Sequence, residues 1–210
     1  QNVYADTHTV SGDCSSSAVQ TAINAASSGD IIDVACTGTV TWSNYIKLSG
    51  GKTLRAGGAK GASGTAGTWP LTINVTYSGK DYPLIWVVND NNQPVNRVTG
   101  FKFQGTGAPN SIIMVVGRGT GADGKGAFRI DNNFFNEVSY SSRVTYTDGT
   151  TGKLTGLFDH NVFYYLRTST PKPYGNNTYQ NSYKGASATC YGYDSLNRDT
   201  GFGTDDFVFW

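Results

Sequence analysis

Phe128-Arg-Ile-Asp-Asn-Asn-Phe-Phe135 and Gly156-Leu-Phe-Asp-His-Asn-Val-Phe163 carry one pattern, read as apolar, Asp, Asn or His, Asn, apolar, Phe. The second copy follows the first at an offset of 28 residues. Val98-Thr-Gly-Phe-Lys-Phe103 fits the same frame more loosely, 32 residues before Ile130 to Phe135. A period in the twenties to low thirties built on short strands marks a solenoid, in which one coil buries its apolar face only by stacking on the next. The pattern predicts strand, tight polar turn, strand. It places Ile130 over Phe158, Phe135 over Phe163 in a shared interior, and Asn133 over Asn161 in the turn.

Outward from these segments the chain has the same texture. Short runs at 31–34, 39–42, 45–48, 53–55, 71–76, 84–88, 97–103, 112–116, 128–130, 134–138, 155–158, 162–166 and 206–210 read as strands punctuated by Gly, Asn, Asp and Ser. Few of them show the strict alternation of a one-sided antiparallel sheet. Residues 15–28 form the one convincing helix. Ser15 or Ser16 is its N-cap, Val19, Ala22, Ile23 and Ala26 line one face, and Gly29 is its stop. An amphipathic helix is the expected cover for the sheet edge that a solenoid exposes at its N-terminal end. The stretch 167–204 has no repeat character and reads as a long Tyr-, Asn- and Gly-rich insertion lying outside the coils, within a single domain of 1–210. Phe207-Val-Phe-Trp210 reads as the start of another strand that is either continued or covered by something else.

Composition agrees with an all-β chain. Charged residues are 15% of the sequence, well under the usual quarter or so, and there are 27 glycines and 13 tyrosines. The net charge is +1 with no Lys/Arg run, which disfavours nucleic acid as a partner. The longest apolar stretches, such as Ile112 to Val116, fall far short of a membrane helix, so membrane insertion is not expected. Cys14 precedes the helix and Cys36 follows the first strand after it, so a disulfide between them would staple one to the other. Cys190 is left over, free or paired elsewhere. The chain begins at Gln1 without Met, as a processed export product would.

Several of these segments resemble bacterial secreted right-handed parallel β-helix proteins of the pectate-lyase-like superfamily. The opening from Cys14 through the helix to Asp30, then Ile31-Ile-Asp-Val34 and Thr41-Trp42, is similar to the family's start, and Lys52-Thr-Leu-Arg-Ala-Gly-Gly58 to its next strand and glycine turn. Arg97 to Phe103, Phe128 to Phe135 and Gly156 to Phe163 look like successive coils, and Gly203-Thr-Asp-Asp-Phe-Val-Phe-Trp210 like the lead-in to a further one. The resemblance covers most of the chain apart from roughly 59–95 and 167–202. It implies an all-β, right-handed parallel β-helix with an N-terminal capping helix, secreted or at the cell surface. It implies that the protein binds or processes extracellular polysaccharide, as a polysaccharide lyase or glycoside hydrolase if it is an enzyme. The alternative is a structural surface protein, adhesin or filament subunit, whose partners are copies of itself meeting through exposed solenoid ends.

Candidate chemistry follows from the repeat. Asp131 and Asp159 hold equivalent positions, and strands stacked about 4.8 Å apart bring such carboxylates near one another. A pair that close could work as acid and base or hold an oxygen-ligated cation such as Ca2+. The competing reading is that each Asp accepts backbone N–H groups in its own turn. His160 is a proton shuttle or a turn residue, aligned with Asn132 of the coil before. His8 is uninformative. Asp205-Asp206 is similar to the paired aspartates of β-helix polygalacturonases, a pattern that also needs a third Asp and a downstream His and Arg or Lys. An elimination mechanism would draw on Arg129, Arg143, Arg167 or Arg198. None of these stands in a diagnostic motif, and Arg129 reads as a surface residue facing away from Asp131. Tyr174, Tyr179, Tyr183, Tyr191 and Tyr193 of the insertion could stack on sugar rings or pack the loop onto the solenoid. No cofactor motif is present, the metal is unassigned, and Asn74 and Asn176 fit the N-glycosylation pattern.

Overall fold

The structure, a computed structural model, describes residues 5–57, 69–79, 81–90, 94–107, 109, 111–118, 125–136, 142–146, 153–159, 161–164, 180–182, 189–192 and 206–209. Strand β1 (Thr7–Val10) leads into helix α1 (Ser16–Ala25). After it come β2 (Ile31–Val34), β3 (Gly38–Trp42), β4 (Ile46–Ser49), β5 (Thr53–Ala56), β6 (Leu71–Val75) and β7 (Ile85–Asp90). They are followed by β8 (Asn96–Thr99), β9 (Lys102–Gln104), β10 (Ile113–Arg118), β11 (Lys125–Asp131), β12 (Phe134–Asn136) and β13 (Ser142–Tyr146). The last are β14 (Lys153–Asp159), β15 (Val162–Tyr164), β16 (Gln180–Ser182), β17 (Thr189–Gly192) and β18 (Asp206–Phe209).

Among the described residues these strands make three parallel sheets that the chain visits in rotation. The first runs β1-β2-β5-β8-β11-β14-β18-β17, the second β3-β6-β9-β12-β15 and the third β4-β7-β10-β13-β16. From β2 to β16 each circuit places one strand in each sheet beside its counterpart from the circuit before, whereas at the end β18 lies between β14 and β17. The repeat sets the register. Ile130 pairs with Phe158 and Asp131 with Asp159, Phe135 pairs with Phe163, and one circuit earlier Val98 pairs with Ile130 and Phe103 with Phe135.

The core is the set of inward-facing columns. Ile32, Leu54, Val98 and Ile130 come from the first sheet, Ile73, Phe103 and Phe135 from the second, and Leu48, Val87 and Val115 from the third, all fully buried. The alternation is clean in β4, β5 and β6, whereas β2 and β8 bury successive residues. Leu71, Ile73 and Val75 are buried while Thr72 and Asn74 between them are half-exposed, so each sheet has one inner and one outer face. The run expected as one strand at 97–103 is two. Gly100 turns the chain between β8 and β9 with φ +82°, and a Cβ there would meet Ala56 O at 3.1 Å. Asn132 occupies the matching turn one circuit on with φ 55°, a conformation that Asn tolerates. Strands β1, β13, β16 and β17 were not expected from sequence. The last two lie within 167–204 and pair with β13 and β18.

Helix α1 is shorter than its apolar pattern. Ser15 caps it by accepting from Ala18 N, but Ala26 is already extended. The reason is Asp30, whose carboxylate takes Ser27 N at 2.7 Å, Asp6 N at 3.0 Å and His8 Nε2 at 3.0 Å and so pulls the chain out of the helix. The helix packs on β4, β1 and β2. Gln20 Oε1 accepts Lys47 N at 2.6 Å and Gln20 Nε2 donates to Lys47 O at 3.3 Å. The side-chain amide thus takes up both peptide groups of one residue in the outermost strand of the third sheet. Cys14 and Cys36 form a disulfide that closes a separation of 22 residues, and Trp42, wholly buried, donates its Nε1 to Cys14 O at 2.9 Å. Replacing both cysteines with serine is expected to lower the unfolding free energy by about 3 kcal/mol, from the regained freedom of that loop. Paired denaturant titrations check this, and equal midpoints would refute it.

Asp30 also sets a pH dependence. The backbone N–H of Ser27, then His8, then the N–H of Asp6 hold its carboxyl below the usual carboxylate value. A group so depressed stabilises the fold at pH values above its unfolded pKa of about 3.9, and that contribution is lost as pH falls through the lower folded value. The melting temperature is expected to drop between about pH 5 and pH 2, and to drop less steeply in Asp30→Asn. Parallel curves for the two proteins over that range would contradict the assignment.

Candidate functional site

The period of two along β3, β6, β9 and β12 decides what the outer face of the second sheet presents. One outward column is Thr39, Thr72, Lys102 and Phe134, and the other is Thr41, Asn74, Gln104 and Asn136, all exposed or half-exposed. The rungs repeat at about 4.8 Å along the stacking axis. Asn74 Nδ2 reaches Thr41 Oγ1 at 3.4 Å, so this acceptor of the glycosylation pattern lies in a strand on the open face. Asn176 lies outside the described residues.

An aromatic and basic corner borders this face. Trp69 stacks on Phe134 with centroids 4.8 Å apart and planes at 22°, and Lys102 Nζ stands 5.6 Å from the Phe134 centroid. Trp69 is held in place by donating Nε1 to Asn132 O at 3.0 Å. Asn132 Nδ2 donates in turn to Asp131 Oδ2 at 2.7 Å. Asp131 is fully buried and takes Arg97 in a two-pronged pair, Nε to Oδ1 at 2.7 Å and Nη2 to Oδ2 at 2.5 Å. Arg129 Nε lies 3.6 Å from Oδ2. Arg97 and Arg129 remain 35% and 38% exposed, so the buried carboxylate orients two cations whose outer surfaces meet solvent. Asp33 and Arg55 make a similar pair nearer the N-terminus, Nε to Oδ1 at 2.8 Å.

This geometry bears on each candidate. Asp131 is engaged by Arg97, Arg129 and Asn132 rather than by the backbone of its own turn. The turn's N–H groups go to asparagines instead. Phe101 N donates to Asn133 Oδ1 at 3.1 Å and Asn133 N to Asn161 Oδ1 at 3.0 Å. Asn133 Nδ2 and Asn161 Oδ1 are 3.1 Å apart, so the two amides stack as their spacing predicts. Arg129 does not face away from Asp131: residues two apart in a strand share a face. Asp159 stands opposite Asp131 in backbone register, and Asp206, Tyr191, Cys190 and Arg143 lie in β18, β17, β17 and β13, with none of these side chains described. His160, Asp205, Tyr174, Tyr179, Tyr183, Tyr193, Arg167 and Arg198 lie outside the described residues. Among the described residues, no three His, Cys, Asp or Glu side chains gather as a metal site, and no helix is long and apolar enough to cross a membrane.

Sequence reasoning missed Trp69, Lys102 and the outward Phe134, which are 32 to 65 positions apart and meet only through stacking of the circuits. The usable signal was Lys102 and Phe134 standing at one register position of consecutive repeats, directly outward of Phe103 and Phe135. Compared with protein-family models, with curated proteins and with solved structures, the chain matches none.

Proposed function

We propose that the chain is an exported right-handed parallel β-helix of the pectate-lyase-like kind, and that it holds an acidic polysaccharide lengthwise along the outer face of its second sheet. Rotation through three parallel sheets supports the winding, because crossovers between parallel strands of one sheet are nearly always right-handed. The disulfide supports export, since such bonds persist in oxidising compartments.

The observation that carries the functional reading is the Trp69–Phe134 stack with Lys102, Arg97 and Arg129 beside it, at the border of a ladder of hydroxyls and amides. A linear polysaccharide lying along the axis would meet one rung for each step of the sheet. Its hydroxyls would bond to Asn74, Gln104 and Asn136, a ring would stack on the aromatic pair, and its carboxylates would lie against the cations. The bonding of Asp131 to Arg97 favours holding the polymer over cleaving it.

Electrophoresis through gels containing polygalacturonate, alginate, xylan or no polymer tests this. The wild type is expected to be slowed by the acidic polymers, less so at high salt. Lys102→Ala is expected to weaken retention about fivefold, on the scale of one lost cation contact. Unchanged mobility in every gel would overturn the reading. Assays for reducing ends and unsaturated products on the same mixtures report whether turnover accompanies binding.

A further inference from the structure

We propose that Tyr45, Tyr77, Tyr82 and Trp86 form a second carbohydrate site, separate from the first, that takes a neutral sugar chain at the corner between the second and third sheets. The four rings come from two consecutive circuits. Tyr45 lies between β3 and β4, Tyr77 and Tyr82 lie between β6 and β7, and Trp86 is the second residue of β7. Stacking of the circuits brings them into one row. Tyr45 and Tyr77 centroids are 6.2 Å apart, Tyr45 and Tyr82 are stacked at 4.8 Å and 16°, and Tyr82 and Trp86 are 5.5 Å apart.

Two features mark the row as more than packing. Tyr45 and Tyr82 are 40% and 41% exposed, and among the described residues the only other large hydrophobic so exposed is Val95. The base of the row is nevertheless fixed. Tyr77 packs against the core, and a Cβ at Gly79 would stand 1.9 Å from its hydroxyl, so a larger residue there would require the ring to move. Burial, with Tyr45, Asp81 and Tyr82 adding to it, pushes the Tyr77 phenol up, which keeps it a neutral hydroxyl.

The chemistry fits a sugar. A pyranose presents C–H faces to aromatic rings and hydroxyls around its rim, and tyrosines answer both with a ring and an O–H. Among the described residues, the charged groups placed at the row are Lys47, whose Nζ is 5.5 Å from the Trp86 centroid, and Asp81 beside Tyr77. These two charges are opposite in sign and match a neutral chain, in contrast to the cationic corner at Lys102. An apolar peptide would leave the ring hydroxyls and both charges without partners.

The test is titration of the full chain with cellohexaose, mannohexaose, hexagalacturonate and a decaproline peptide, followed through the Trp86 indole and tyrosine ring NMR signals. One of the neutral hexasaccharides is expected to move these signals saturably. Tyr82→Ala is expected to weaken that binding about tenfold or more, the loss of one stacked ring, while Tyr82→Phe largely retains it. If Tyr82→Ala does not fold, as judged by circular dichroism, Tyr45→Ala and the wild-type ring signals decide. No response to either neutral hexasaccharide, a response to decaproline alone, or unchanged affinity in the alanine variants overturns the proposal. Retention in the polysaccharide gels is read separately, and its absence in every gel would overturn the preceding reading without touching this one.

Discussion

Asn96→Leu is expected to destabilise the protein by about 4 kcal/mol, although leucine matches asparagine closely in size. Asn96 is fully buried at the start of β8. Its Oδ1 accepts Gly51 N at 3.0 Å and Lys52 N at 3.1 Å, and its Nδ2 donates to Val88 O at 3.2 Å and Asn89 Oδ1 at 2.7 Å. One side chain therefore serves the turn before β5, the end of β7 and a second buried amide. The leucine variant would gain apolar burial but leave these four groups without Asn96, at roughly 1–3 kcal/mol for each that finds no water. Asn96→Asp keeps the two acceptor contacts but sets oxygen against Val88 O and buries a charge, so it should be no better. Denaturant midpoints at constant m-value measure the effect. A change below about 1 kcal/mol would mean that water takes over the amide's bonds.

Phe103→Ala should cost a similar amount, about 4 kcal/mol. Phe103 is the middle ring of an interior stack, 5.7 Å from Phe101 and 5.4 Å from Phe135, and Ile73 faces it across the rung. Truncation removes a fully buried aromatic from between Ile73 and Phe135 in a column fixed by backbone register, so its neighbours cannot slide together to fill the space. Phe103→Leu retains most of the volume and should cost about 1–2 kcal/mol. In a stacked array each circuit is stabilised chiefly by its neighbours. The alanine variant is therefore also expected to unfold in two steps, seen as separate transitions by tryptophan fluorescence and by circular dichroism. A single coincident transition with a small loss would show that the column repacks.

What the sequence made legible was whatever repeats or pairs locally. The Asp-Asn/His-Asn turns, 28 residues apart, gave the register of β11 with β14 and of β12 with β15, because a period of that length has few ways to stack. The helix and the cysteine pair were readable because a cap, an apolar face and flanking thiols are near one another in the chain. What stayed hidden depends on contacts between distant positions. Gly100 sits inside an otherwise strand-like run, and only its backbone conformation shows that the run is broken. Asn96 and Asn89 look like loop residues and are buried polar links. The opposing charges of Arg97 and Asp131 are 34 positions apart, and the tyrosines at 45, 77 and 82 carry no local motif. The tyrosines that sequence composition favoured lie in 174–193, whereas the exposed rings that converge lie at corners of the earliest circuits.

The asparagine bonds between circuits have a consequence for the height of the molecule. Asn133 reaches back to Phe101 N and Val98 O, and Asn161 reaches back to Asn133 N and Ile130 O. The tier of Asn133 thus offers Asn161 sockets that match those Asn133 itself uses below. Excising one 28-residue period would set Asn161 into the sockets vacated by Asn133. Removing that one storey would accordingly leave the same kind of joint between the storeys on either side of it.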